Sequence, residues 1–226
     1  AIVKDRLLQS YLCHADETGI NMNGKRFWLH CLSNEKYTLF YPHEKRGGEA
    51  MDAMEVLPQF QNILCHDHWK PYFNYNCLHA LCNAHHLREL ERAWEQDGQQ
   101  WARQMQQLLL ETKKSVDENA GSLPSDLSKT FRMRFRDIIE SGHKECPPPD
   151  DSKRKKGQRG RLKRSKARNL LERLESFETE TLRFMDDPQV PFTNNQGEND
   201  IRMTKVHQKI SGCFRSMKGA EIFCRI

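Results

Sequence analysis

The sequence predicts an α/β fold built on a mixed sheet, and three observations carry that expectation. Asn23-Gly24 joins two β-rich runs, residues 8–16 and 26–32, and both turn residues tolerate the positive φ of a tight hairpin. A third run, 37–41, follows Ser33-Asn34-Glu35-Lys36 and completes an antiparallel meander. Helical spacing at Ala50, Met54 and Leu57 then ends at Pro58, and a fourth apolar run, 62–65, follows. A strand reached through a helix lies most simply parallel to an earlier one by a right-handed crossover. If its partner is the first strand, Asp16 and Asp67 become neighbours at the two strand ends.

Beyond Asp67 the pattern is helical. Residues 79–94 form one candidate helix, Trp101, Met105, Leu108 and Leu109 mark a second, and Leu127, Phe131, Phe135, Ile138 and Ile139 mark a third, closed by Gly142 in the C′ position. Residues 144–163 turn Pro-rich and then Lys-rich with little apolar content, as a flexible segment does. Leu170, Leu171, Leu174, Phe177, Leu182 and Met185 define a further amphipathic helix ended by Pro188 and Pro191. Asn194 is placed to cap the helix that follows.

The chain has 226 residues, 37% hydrophobic and 30% charged, enough for one sizeable domain with or without an inserted subdomain. No stretch approaches the roughly 20 apolar residues of a membrane span. No charged-then-apolar leader is evident, so the chain reads as soluble and intracellular in type. It begins without methionine and stops in mid-pattern, as a piece of a longer polypeptide would. Cys13, Cys31 and Cys65 lie in apolar strand-like runs and read as buried free thiols. A structural zinc on Cys77, His79, Cys82, His85 and His86 is the lesser alternative, because no second clean ligand pair accompanies them.

The net charge of +5 is unevenly spread. Residues 153–168 contain ten cations (Lys153, Arg154, Lys155, Lys156, Arg159, Arg161, Lys163, Arg164, Lys166 and Arg168) and no acid, so the remainder is net acidic. Local positive charge of this kind fits a polyanion, although a solvated linker beside Pro147-Pro148-Pro149 reads similarly.

In Asn194-Asn195-Gln196-Gly197-Glu198-Asn199-Asp200-Ile201-Arg202, helical spacing puts Asn195, Glu198 and Arg202 on one face. Glu198, Asp16 and Asp67 are three carboxylates from distant segments. Two such groups about 4 Å apart repel by roughly 4 kcal/mol at an effective dielectric near 20, so a cluster needs cations or protons. Oxygen ligands without paired thiolates favour Mg²⁺ or Mn²⁺. Glu17 is a rival ligand, but strand alternation sends it and Asp16 to opposite faces. The plainer alternative makes Asp16 a turn residue, Asp67 a loop acid, and Glu198 half of an exposed i,i+4 pair with Arg202 worth a few tenths of a kcal/mol.

The motifs Asp16-Glu17-Thr18-Gly19, Asp67 with Tyr72, Cys82-x-x-His85 with Arg88, Pro191-Phe192-x-Asn194-Asn195-x-x-Glu198-x-x-x-Arg202, and Lys209-Ile210-Ser211-Gly212 together resemble the catalytic domain of the insertion-sequence 66 family of bacterial DDE transposases. The resemblance spans residues 8–226. His68 and Trp69 depart from the glycine and aromatic that usually follow the second acid; His68 either crowds a metal or contacts phosphate. The resemblance implies an RNase H-like fold, a mixed five-stranded sheet flanked by helices, with a helical insertion filling the stretch between Asp67 and Glu198. It divides the chain into a first core segment (1–78), an insertion (79–165, basic and flexible over 144–165) and a returning core segment (166–226).

It also implies a catalytic triad of Asp16, Asp67 and Glu198 holding two Mg²⁺ or Mn²⁺ ions, with cleavage at transposon ends and strand transfer into target DNA. Lys153, Arg154, Lys155, Lys156, Arg159, Arg161, Lys163, Arg164, Arg202, Lys205 and Lys209 are the expected DNA contacts, continued by Arg215 and Lys218, with Asn195, His68 and Arg88 in support. A homodimer or higher oligomer on DNA, in the bacterial cytoplasm at the nucleoid, follows from that role. A nuclease or resolvase that does not join strands, and a catalytically inactive DNA-binding module, are the alternatives.

Overall fold

The computed structural model describes residues 2–150, 152, 160, 162–212 and 214–225. Helix α1 (Ile2–Leu8) precedes the three long strands β1 (Leu12–Met22), β2 (Lys25–Ser33) and β3 (Thr38–His43). After α2 (Gly48–Ala53) come β4 (Ile63–His66) and β5 (Leu78–Leu81). The five strands form one sheet in the order β3-β2-β1-β4-β5. β1, β2 and β3 pair antiparallel, while β4 pairs parallel with β1 and β5 parallel with β4. An antiparallel meander extended by two parallel crossover strands beside β1 is the RNase H-like sheet. At the hairpin, Asn23 and Gly24 both adopt positive φ, 49° and 77°, which sets Met22 opposite Lys25.

Contact clustering divides the chain into a sheet unit, Ala1–Cys82 with Thr193–Ile226, and a helical unit, Asn83–Phe192. The sheet unit buries apolar side chains on both faces. Cys13, Ala15, Leu32, Met51, Phe60, Leu64 and Tyr72 form one cluster, and Ile20, Met22, Leu29, Cys31, Ile201 and Ala220 the other. The second is closed by α8 (Asn195–Ser211), which packs on β1 and β2, and by α9 (Met217–Phe223). Cys13, Cys31 and Cys65 are free and buried, as their apolar settings require.

The helical unit contains α3 (Asn83–Glu95), α4 (Gln100–Glu118), α5 (Ser125–Glu145), α6 (Lys166–Ser176) and α7 (Glu178–Leu182). Trp101, Met105, Leu109, Phe131, Phe135, Leu170, Leu171 and Leu174 form its interior. The N-terminus of α4 has no side-chain cap of its own; Glu145, at the end of α5, accepts from the backbone N–H groups of Gln100 (2.6 Å) and Trp101 (3.0 Å) instead. α6 packs within this unit, so the helix expected to open the returning core segment belongs with the insertion's helices.

Three local expectations are corrected. Residues 78–81 are a strand, not the start of a helix: four buried-sheet residues run into α3 without an intervening turn residue. The helix expected over Leu170 to Met185 breaks at Phe177 into α6, α7 and a 3₁₀ turn, Arg183–Met185. Gly142 is not a C′ cap but lies inside α5, where a Cβ would fall 2.6 Å from Leu171 Cδ1 and 3.0 Å from Trp101 Cγ. Gly142→Ala is therefore expected to overpack this interior and destabilise by about 1–3 kcal/mol, read as a lowered denaturant midpoint.

Candidate active site

β1 and β4 place the first two predicted acids. Their parallel register runs Leu12↔Ile63, Cys13↔Leu64 and His14↔Cys65, and two further residues on each chain arrive at Asp16 and Asp67. Asp67 Oδ1 accepts from the Trp69 N–H at 3.0 Å, which folds the loop back on itself at the strand end. Glu198 lies in the first turn of α8, where the helix dipole favours a carboxylate. The Cys82 thiol, one residue past β5, donates to Glu198 Oε1 at 3.7 Å.

The three acids act on one another electrostatically. Burial, first, and the neighbouring charges of Glu17, Asp67 and Glu198 push the Asp16 carboxyl up to about 7, against the partial offset of the Glu17 N–H bonded to it. Neither Asp16 nor Asp67 has an ion-pair partner among the described residues. This is an oxygen-rich cluster short of positive charge. Three hard carboxylates in this state fit divalent Mg²⁺ or Mn²⁺.

α8 is fastened to β1 by Asn194. Its side chain does not cap the helix, as expected from the sequence; Nδ2 donates to the Ala15 carbonyl (2.9 Å) and Oδ1 meets His14 Nδ1 (2.8 Å). Because Oδ1 is the acceptor, Nδ1 carries the proton. Burial keeps His14 below its ordinary pKa, so the ring is neutral. The Asn194 N–H reaches Cys82 Sγ at 3.2 Å, and Gly197 leaves room: a Cβ there would meet Asn194 Nδ2 at 3.1 Å. One amide side chain thus ties the helix bearing Glu198 to the strand bearing Asp16.

Glu17 faces the other side of the sheet, as alternation requires. Tyr72 Oη donates to it at 2.5 Å, and Arg46 binds Oε1 through Nε (3.0 Å) and Nη2 (2.6 Å). The Arg46 guanidinium also stacks over Trp28 (4.9 Å) and Trp69 (4.3 Å). Glu17 is therefore a neutralised structural acid, adjacent in sequence to an unneutralised one. Arg46 sits in a charged, Gly-flanked loop that carries no sequence signal for this role.

A family model described as Transposase IS66 family matches residues 1–222. The chain belongs to that transposase family. Among curated proteins none matches it. A solved structure of the HTLV-2 integrase catalytic core domain, in complex with magnesium and in dimeric form, matches at 10% identity over 62% of this chain and 87% of that one, with a TM-score of 0.27.

The transposase domain distributes its other expected residues unevenly. Lys153, Arg154, Lys155, Lys156, Arg159 and Arg161 lie outside the described residues. Lys163 is exposed, and Arg164 pairs with Glu172. Arg88 is exposed on α3 of the helical unit. His68 packs on Phe73 with ring centroids 5.1 Å apart. Asn195 and Arg202 are exposed on α8, and Lys205 donates to the Gly19 carbonyl. Arg202 makes no ion pair among the described residues, so the surface pair with Glu198 is absent. No described helix is long and apolar enough to cross a membrane.

Proposed function

We propose that this domain catalyses DNA transposition, cutting at transposon ends and joining the freed 3′ hydroxyl to target DNA, with Asp16, Asp67 and Glu198 as the catalytic acids. The observation that carries the reading is the Asp16 carboxyl, raised toward 7 among two further acids with no cation to neutralise it. Two Mg²⁺ or Mn²⁺ ions held there would activate the attacking oxygen and stabilise the leaving one, which serves cleavage and joining alike. Asp16 stands between the other two acids and is the natural bridging ligand. Asn194 holds the Glu198 helix on β1, and the Trp69 N–H orients Asp67. Arg202, Lys205 and Lys209 supply phosphate contacts along α8, and Asn195 and His68 stand beside the acids as supporting polar groups. Pairing of two domains on two transposon ends is part of the same reading.

Two measurements test it. Millimolar Mn²⁺ is expected to raise the melting temperature, because a ligand of the native state stabilises it. With end-containing duplex and Mg²⁺, both cut and joined products are expected. Cut products alone would replace transposase by nuclease, and salt-sensitive DNA binding without any metal response would leave an inactive binding module.

A further inference from the structure

The cations of the two units differ in how they are neutralised. In the helical unit Arg132 and Arg136 pair with Glu178, Arg134 with Glu111, Arg168 with Glu172 and Arg173 with Glu89. In the sheet unit Arg26 and Lys205 have no carboxylate partner among the described residues, yet both lie against one residue, Gly19 of β1. Arg26 crosses the face of Gly19; a Cβ there would fall 3.1 Å from its Nε, so only glycine admits the guanidinium so close. The same guanidinium rests over Trp28 at 5.4 Å. Lys205 reaches the Gly19 carbonyl from α8, on the stretch of β1 beyond His14 that β4 does not cover. Nearby, the Asn23 side chain donates to the Arg215 carbonyl (2.7 Å), which brings a third unpaired cation to the hairpin.

Two like charges drawn together without an acid are stabilised by an anion from outside. Burial and the charge of Arg26 both hold Lys205 below its ordinary pKa, the direction a missing counter-ion produces. Arg46, which shares the Trp28 ring with Arg26, has its own carboxylate in Glu17 and so is already satisfied. Gly19 is three residues beyond Asp16, about 10 Å along the strand.

We propose that Arg26 and Lys205 form a phosphate-binding site on β1 that holds the backbone of the DNA strand passing the carboxylates, one step removed from the phosphodiester that reacts. The assignment of DNA as the source of that phosphate rests on the transposase reading; the anion site itself does not.

The test compares the parent chain with Arg26→Gln/Lys205→Gln and with Arg134→Gln, whose cation is already paired with Glu111. Duplex DNA binding is followed over a salt series. The double variant is expected to flatten the slope of log K against log salt by about 1 to 2, and Arg134→Gln to leave it unchanged. In parallel, inorganic phosphate at constant ionic strength is expected to raise the melting temperature of the parent more than that of the double variant. An unchanged slope in a parent that does bind DNA overturns the DNA contact while leaving the transposase reading intact. A phosphate response that depends on Arg26 and Lys205, in a chain that binds no DNA, keeps the anion site and overturns the DNA reading. Equal phosphate responses in parent and double variant overturn the site.

Discussion

Asp16→Asn is expected to abolish metal-dependent cleavage and joining while making the metal-free domain more stable at neutral and alkaline pH. Asp16 ionises near 7 in the folded chain, against 3.8 ordinarily, because burial and the nearby acids disfavour its charge. The folded state therefore holds a proton that the unfolded state has released across this window. The stabilisation is fully present below pH 4, declines as pH rises and is gone above 7, in total on the order of 4 kcal/mol. Asparagine keeps the neutral shape at every pH. At pH 8 the variant should melt several degrees above the parent, at roughly 2–4 °C per kcal/mol for a chain of this size. The Mn²⁺-induced rise should disappear with the activity. A variant that melts below the parent at pH 8, or keeps its Mn²⁺ response, would show that Asp16 is an ordinary surface acid.

Asn194→Ala is expected to lose activity and stability together. The substitution strips a donor from the Ala15 carbonyl and an acceptor from His14 Nδ1, both buried, and each unsatisfied group costs about 1–3 kcal/mol. The α8 N-terminus loses its tie to β1, so Glu198 is no longer held beside Asp16 and the Mn²⁺ response should shrink. Asn194→Asp, although the same shape, is no rescue: it cannot donate to Ala15 and adds a further acid to the cluster. Melting of Asn194→Ala within a degree of the parent would remove Asn194 from this role.

The sheet was legible wherever the chain's local chemistry and its final contacts agree. Asn23-Gly24 dictates its own turn, the helical crossover dictates a parallel β4, and the period of two separates Asp16 from Glu17 without any knowledge of what each meets. Legibility failed where a residue's role depends on a partner far away in sequence. Residues 78–81 have too few positions to show a period, and their strand identity comes from lying beside β4. Gly142 looks like a helix end because glycine is common there, whereas its cause is the approach of Trp101 and Leu171. Asn194 occupies a capping position, yet its side chain serves a strand 180 residues earlier. Arg46 and Arg26 look alike as exposed basic residues, and only the fold shows one matched by Glu17 and the other left unmatched.

The Asn83 N–H donates to the Phe192 carbonyl at 3.0 Å, so the helical unit leaves and rejoins the chain across a single hydrogen bond. To the sheet, an excursion whose ends are that close is equivalent to a tight turn, whatever its length. Loop-closure entropy rises only as the logarithm of length, and here the closure is made within the unit itself. The spacing between Asp67 and Glu198 is thereby decoupled from the distance between them. Insertions and deletions inside Asn83–Phe192 can accumulate without moving a carboxylate, and the helical unit is free to evolve as a module under its own selection.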